Sequence, residues 1–125
     1  MIPWRSVPGP PYWRTASLRL VKSPVKIGDG AIVSHGAIVH GATIGDEALV
    51  GIGAIVLDGA TVGRGSIIGA GAVVPPRTVI PPNTLALDIP AEPAHEVRDG
   101  EMEFVTKERQ RLTSKVEKYK KIFTE

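Results

Sequence analysis

Between residues 27 and 85 an aliphatic residue returns at almost every sixth position. Set in register, the stretch reads IGDGAI, VSHGAI, VHGAT, IGDEAL, VGIGAI, VLDGAT, VGRGSI, IGAGAV, VPPRTV, IPPNTL. The first place of each unit is Ile or Val: Ile27, Val33, Val39, Ile44, Val50, Val56, Val62, Ile68, Val74 and Ile80. The fifth place is small throughout, from Ala31 and Ala37 through Thr43, Ala48, Ala54, Ala60, Ser66 and Ala72 to Thr78 and Thr84. The unit VHGAT is one residue short, and the phase resumes directly after it. A fixed short period of this kind marks a solenoid.

Six residues make a short extended segment and a corner. β-Branched side chains suit the pleated segment. The small fifth residue lets the chain turn, and Gly28, Gly36, Gly45, Gly51, Gly63 and Gly69 relieve crowding at the bends. A first-place side chain pointing inward contributes roughly 1.5–3 kcal/mol once buried, but one unit cannot cover its own apolar face. Stacked turns must do so, and roughly three units per turn predict a parallel β-helix about three turns deep. Pro75-Pro76 and Pro81-Pro82 suit outward or edge positions of the last turn, where a missing N–H is harmless. Beyond Ile89-Pro90 the segment AEPAHEVRDG reads as a linker to a helix from Glu101 to Phe123. Its Val105, Leu112, Val116, Tyr119 and Phe123 fall at helical spacing and are expected to pack on the flank of the β-helix, its own or a neighbour's. Residues 1–13 hold four prolines with Trp4 and Trp13, an irregular arm, and 14–26 alternate weakly enough for a partial turn. The expected divisions are 1–26 for arm and partial turn, 27–90 for the β-helix and 91–125 for linker and amphipathic helix.

The hexapeptide pattern resembles that of the left-handed parallel β-helix proteins, a superfamily that includes many acyltransferases. Within it, 33–45 (VSHGAIVHGATIG) and 51–60 (GIGAIVLDGA) are similar to the γ-class carbonic anhydrase family, in which two histidines five apart precede such a run; here they are His35 and His40. The likeness continues through 68–76 (IGAGAVVPP) and the exit at Ile89-Pro90-Ala91. The resemblance implies an all-β solenoid, a left-handed parallel β-helix with a C-terminal α-helix. It implies reversible hydration of CO2 to bicarbonate by zinc held at subunit interfaces of a homotrimer, with His35 and His40 serving different ions. The chain departs from the family upstream, where members place a third histidine ligand. No histidine precedes His35, and Arg14-Thr15 falls roughly where a family His-Thr would stand. Catalytic zinc takes three protein ligands and one water, whose pKa it lowers toward ~7. Two imidazoles per ion therefore predict weak retention of zinc and weak activity. Asp29, Asp46 and Asp58 are the remaining oxygen donors, although corner carboxylates more often satisfy turn amides or face solvent.

Taken without the resemblance, His40 follows an inward Val39 and faces outward, and His35 stands near a bend, so both read as solvated side chains. Two further readings stand beside carbonic anhydrase. An acyltransferase of the hexapeptide superfamily would use His35 or His40 as general base, with coenzyme A along a flank. A non-catalytic trimeric assembly subunit, or a truncated remnant, would keep the fold alone. His95 lies in the linker with no partner visible in the sequence, and the basic residues of the C-terminal helix, Arg109 among them, read as a solvated face.

Composition narrows the choice a little. At 125 residues the chain makes one domain, and 42% hydrophobic with only 5% aromatic residues fits a lumen of Val, Ile and Ala. The absence of cysteine excludes disulfides and cysteine-ligated zinc. A net charge of +2 with no long basic run gives no sign of a nucleic-acid partner. No apolar run approaches the ~18–20 residues of a membrane span, and prolines and arginines interrupt the N-terminus where a signal segment would be apolar. The expected setting is cytoplasmic, away from membranes.

Overall fold

A computed structural model describes residues 24–124 of the chain. The arm with Trp4 and Trp13, and the Arg14-Thr15 pair, lie outside the described residues. Strands, numbered in chain order, form three sheets, each a wall of the solenoid. The first sheet stacks β1 (Lys26–Ile27), β4 (Thr43–Ile44), β7 (Thr61–Val62) and β10 (Val79–Ile80). The second stacks β2 (Ile32–Val33), β5 (Leu49–Val50), β8 (Ile67–Ile68), β11 (Thr84–Leu87) and β12 (Glu92–Glu96). The third stacks β3 (Ile38–Val39), β6 (Ile55–Val56) and β9 (Val73–Val74). From β1 to β11 each successive strand goes to the next wall, so spatial neighbours are three strands apart in sequence and pair in parallel. The result is the left-handed β-helix of about three turns that the repeat predicts.

The inward phase is as expected. Ile44, Val50, Val56, Val62, Ile68, Val74 and Ile80 are at most 1% exposed and form one continuous core with the small alanines. Only the first described turn departs, with Ile27 53% and Val33 41% exposed. Backbone ladders run from turn to turn, as where the Ile32 N–H donates to the Ala48 carbonyl at 2.8 Å.

Two details of the repeat are corrected. Lys26 pairs with Thr43 and Thr43 with Thr61, a step of 17 residues followed by one of 18. The missing residue of VHGAT therefore comes out of the corner, so Ala42, 1% exposed, takes the small inward place. Thr43 begins β4 and faces out. The glycines also divide into two kinds. Left-handed φ belongs to the fourth place, occupied by Gly53 (φ 67°) in one unit and tolerated by Glu47 (φ 60°) in another. Second-place glycines are required by close approach instead: a Cβ on Gly51 would stand 2.6 Å from the Ile68 carbonyl oxygen on the next turn.

The linker is also corrected. Glu92–Glu96 forms β12, antiparallel to β11 with a bulge between Leu85 and Ala86, because the last strand of the second sheet otherwise ends as an open edge. The helix, α1, runs Asp99–Thr124. Glu101 caps its start by accepting from the Arg98 N–H at 2.8 Å, the return half of a capping box. Acidic Asp99 and Glu101 in the first turn and Lys121 in the last suit the helix dipole. Only the first half of the apolar stripe packs on the flank: Val105 is 5% exposed against Ile32 and Ile67. Val116, Tyr119 and Phe123 are 50%, 58% and 83% exposed.

Candidate functional site

His35 sits in the corner between the second and third sheets. Its carbonyl accepts from the Gly53 N–H of the next turn at 3.0 Å, which fixes the backbone and leaves the imidazole exposed. The side chain borders an open groove of about 610 Å³. The groove floor is the outer face of the second sheet, with Ile32, Leu49 and Ile67, sixth-place residues that the strand alternation turns outward. Phe104, Glu108 and Leu112 of α1 form one side. Glu108 accepts from Arg111 at 2.8 Å, which holds an ion pair along that rim. The groove is thus apolar below, charged along the helix and furnished with one imidazole at the opposite corner.

His40 lies elsewhere, at the corner between the third and first sheets. Its N–H donates to the Val56 carbonyl at 2.9 Å and its side chain is half-buried. The two histidines therefore occupy different corner columns and do not meet within one chain. Among the described residues no three His, Asp or Glu side chains come together to hold a metal ion. Catalytic zinc uses three protein ligands, and within one chain His35 and His40 do not share a site to which a third could be added.

The carboxylates divide three ways. Asp46 Oδ1 accepts from the Asp29 N–H at 2.8 Å, a turn amide satisfied across two turns of the solenoid. Asp29 itself is exposed. Asp58 stands in the corner directly above the shortened one, and its Oδ1 is buried without a hydrogen-bond partner. Two residues to which the sequence assigned no partner have specific ones. His95 places Nε2 3.5 Å from Glu101 and Nδ1 2.8 Å from the Glu96 carbonyl, tying β12 to the start of α1. Arg109 donates from Nε to the Gly30 carbonyl at 2.7 Å and from Nη2 to the Glu47 carbonyl at 3.2 Å. Its position four residues after the buried Val105 was the available signal, since it places Arg109 on the inward side of the helix.

Comparison with known proteins sharpens this picture. Residues 41–76 match the family model described as bacterial transferase hexapeptide (six repeats). A Bacillus cereus protein with a provisional acetyltransferase designation is 33% identical, with a TM-score of 0.71, over 78% of this chain and 63% of that one. The Caulobacter crescentus perosamine N-acetyltransferase, solved as a mutant with coenzyme A and GDP-perosamine, is 30% identical with a TM-score of 0.54. That match covers 58% of this chain and 34% of that one. A galactoside acetyltransferase in complex with coenzyme A is 26% identical with a TM-score of 0.54, over 62% and 47% of the two chains. This chain thus spans less than two thirds of each of the three. No curated protein matches the sequence.

The repeat and the fold are those of the hexapeptide-repeat, left-handed β-helix proteins. The carbonic anhydrase reading is corrected: the similar structures are acetyltransferases, two of them with coenzyme A bound. The pair His35 and His40 had carried that reading, but residues 41–76, directly after them, match the bacterial transferase hexapeptide repeat. No described helix is long and apolar enough to cross a membrane.

Proposed function

We propose that the protein transfers an acyl group from coenzyme A to a hydroxyl or amine of a small acceptor. The observation that carries the reading is the single exposed imidazole, His35, beside an apolar groove on a fold shared with acetyltransferases that bind coenzyme A. Acyl transfer to such an acceptor needs a base to take its proton as it attacks the thioester carbonyl, and a positioned histidine supplies that step. The acceptor O–H or N–H gives its proton to the imidazole, the new ester or amide bond forms, and the thiolate of coenzyme A leaves. The departing sulfur then collects a proton. The apolar floor of Ile32, Leu49 and Ile67 keeps water from competing for the acyl group. The working form is a homotrimer in a cytoplasmic setting, where coenzyme A donors are found.

The test is release of free coenzyme A thiol from acetyl-coenzyme A in the presence of amino- and hydroxy-sugars. His35→Ala should lower turnover by about 10²-fold or more, and His40→Ala should lower it much less. No thiol release with any acceptor, together with no calorimetric heat of coenzyme A binding, would remove the reading.

A further inference from the structure

The groove beside α1 is polar at one end and apolar along the rest. Its floor is a stack of sixth-place residues, Ile32, Leu49 and Ile67, one on each turn and paired in register. The corner column along one side carries the third place of the same turns, His35, Ile52 and Ala70. The Gly53 N–H donates to the His35 carbonyl and the Gly71 N–H to the Ile52 carbonyl, so these corners stack directly. Along the other side runs α1. By Arg109 it has come down to the first two described turns, where the guanidinium holds the carbonyls of Gly30 and Glu47. Glu108 and Arg111 therefore stand level with the His35 end, and Phe104, one helical turn before Glu108, stands toward the later turns. Among the described lining residues the polar side chains are Ser34, His35, Glu108 and Arg111, all at that one end. Glu108 and Arg111 satisfy each other at 2.8 Å. Beyond them the trough is bounded by the apolar side chains of Leu49, Ile52, Ile67, Ala70 and Phe104.

We propose that this trough holds the acyl chain of the donor, and that the donor carries a chain of medium length in place of acetyl. The donor class rests on the acyl-transfer reading with His35 as base. The thioester carbonyl lies beside His35, where the acceptor gives up its proton. From there the chain runs over Leu49 and Ile67, with Ile52 and Ala70 on one side and Phe104 on the other. The bonds exchanged stay the same: the thioester C–S bond breaks, the acyl carbon joins the acceptor, and the sulfur takes up a proton.

Polarity and shape select an alkyl chain as the occupant. From Ile32 to Ile67 the floor advances roughly 10 Å at ~4.8 Å per strand, about the reach of eight carbons in an extended chain. An acetyl methyl would touch only its first step. A polyhydroxylated acceptor laid along the trough would set hydroxyls against Leu, Ile and Phe side chains that cannot bond them, and would lose affinity at each one. An alkyl chain has nothing to satisfy and gains with every methylene covered. The exposed imidazole of His35 meanwhile lets a polar acceptor approach from water. Ala70, small and exposed, marks the far end of the trough. A larger side chain at that position shortens it.

The experiment measures kcat/KM for thiol release from the acetyl, butyryl, hexanoyl and octanoyl esters of coenzyme A, with one acceptor held fixed from the amino- and hydroxy-sugars above. The value should rise about two- to fourfold per methylene. Calorimetric titration of the same thioesters without acceptor should give affinities in the same order. Ala70→Trp should move the preferred donor to a shorter chain, and Phe104→Ser should lower the octanoyl-to-acetyl ratio by about tenfold. Both positions are exposed, Phe104 at 58%, so circular dichroism should show the fold kept. Thiol release fastest from acetyl-coenzyme A and falling with chain length would overturn the proposal and leave acyl transfer standing. So would equal affinities for the acetyl and octanoyl esters, or a length profile that Ala70→Trp does not alter. If rates instead follow the chain length of alkylamine acceptors and ignore that of the acyl group, the trough holds the acceptor and the proposal is wrong. Absence of both thiol release and coenzyme A binding would remove acyl transfer itself, and the donor class with it.

Discussion

Ser66 is the one buried polar side chain of the described core, 0% exposed. Its hydroxyl donates to the Pro81 carbonyl at 2.5 Å and accepts from the Thr84 N–H at 3.1 Å. In other corners those two backbone groups bond each other directly, as Ala48 N–H does to the Gly45 carbonyl at 3.3 Å. The proline pair at Pro81-Pro82 opens the last corner, and the Ser66 hydroxyl bridges it from the turn below. Ser66→Ala keeps the volume nearly unchanged but leaves a buried donor and acceptor unpaired, a loss of about 1–3 kcal/mol. Urea denaturation should show the midpoint fall with an unchanged slope; no shift would mean that water satisfies the corner. In the sequence Ser66 was legible only as another small residue. That it is a hydroxyl for a reason depends on a corner 15 residues away. The same limit explains Thr43, since a repeat that is one residue short does not say which place was lost.

At the scale of elements, the strands were readable because every unit repeats the same physical problem, an aliphatic inside and a small residue at the corner. β12 was not, because Glu92–Glu96 carries a proline and charges and shows no alternation. It is a strand only because β11 offers an edge. His35 and His40 were conspicuous by residue type, but the groove that distinguishes them exists only once α1 lies across the second sheet. How α1 is held there was invisible, since Arg109 looks like its basic neighbours until its bonds to Gly30 and Glu47 are seen. Arg109→Met preserves the aliphatic stem and removes both bonds. Each contributes about 0.5–1.5 kcal/mol, so amide exchange in the first half of α1 should quicken by about tenfold, while exchange in the lumen strands stays as it was. Acceleration spread evenly over the solenoid would show that Arg109 supports the whole fold and not the docking of one helix.

At the scale of the whole molecule, stability in a solenoid is close to a sum of turns and the contacts between adjacent turns. A lumen residue with a turn on each side loses contacts in both directions when truncated, and one at an end loses them in one. Val33, 41% exposed, and Val56, 0% exposed, hold the same place in their units and differ mainly in how far they are covered. Val33→Ala should therefore cost under about 1 kcal/mol, whereas Val56→Ala and Val50→Ala should each cost about 2 kcal/mol, transfer and cavity together. Val56→Asp goes further. It places a carboxylate in a lumen of Val, Ile and Ala with no partner, and burial of an unpaired charge exceeds what a fold of this size can absorb. Guanidinium unfolding of the three alanine variants should rank them by depth along the axis, and Val56→Asp should give no cooperative transition. Equal costs at Val33 and Val56 would mean that the first described turn is covered in solution as fully as the middle one. A Val56→Asp chain that melts like the parent would show that the first place of the repeat does not point into the lumen.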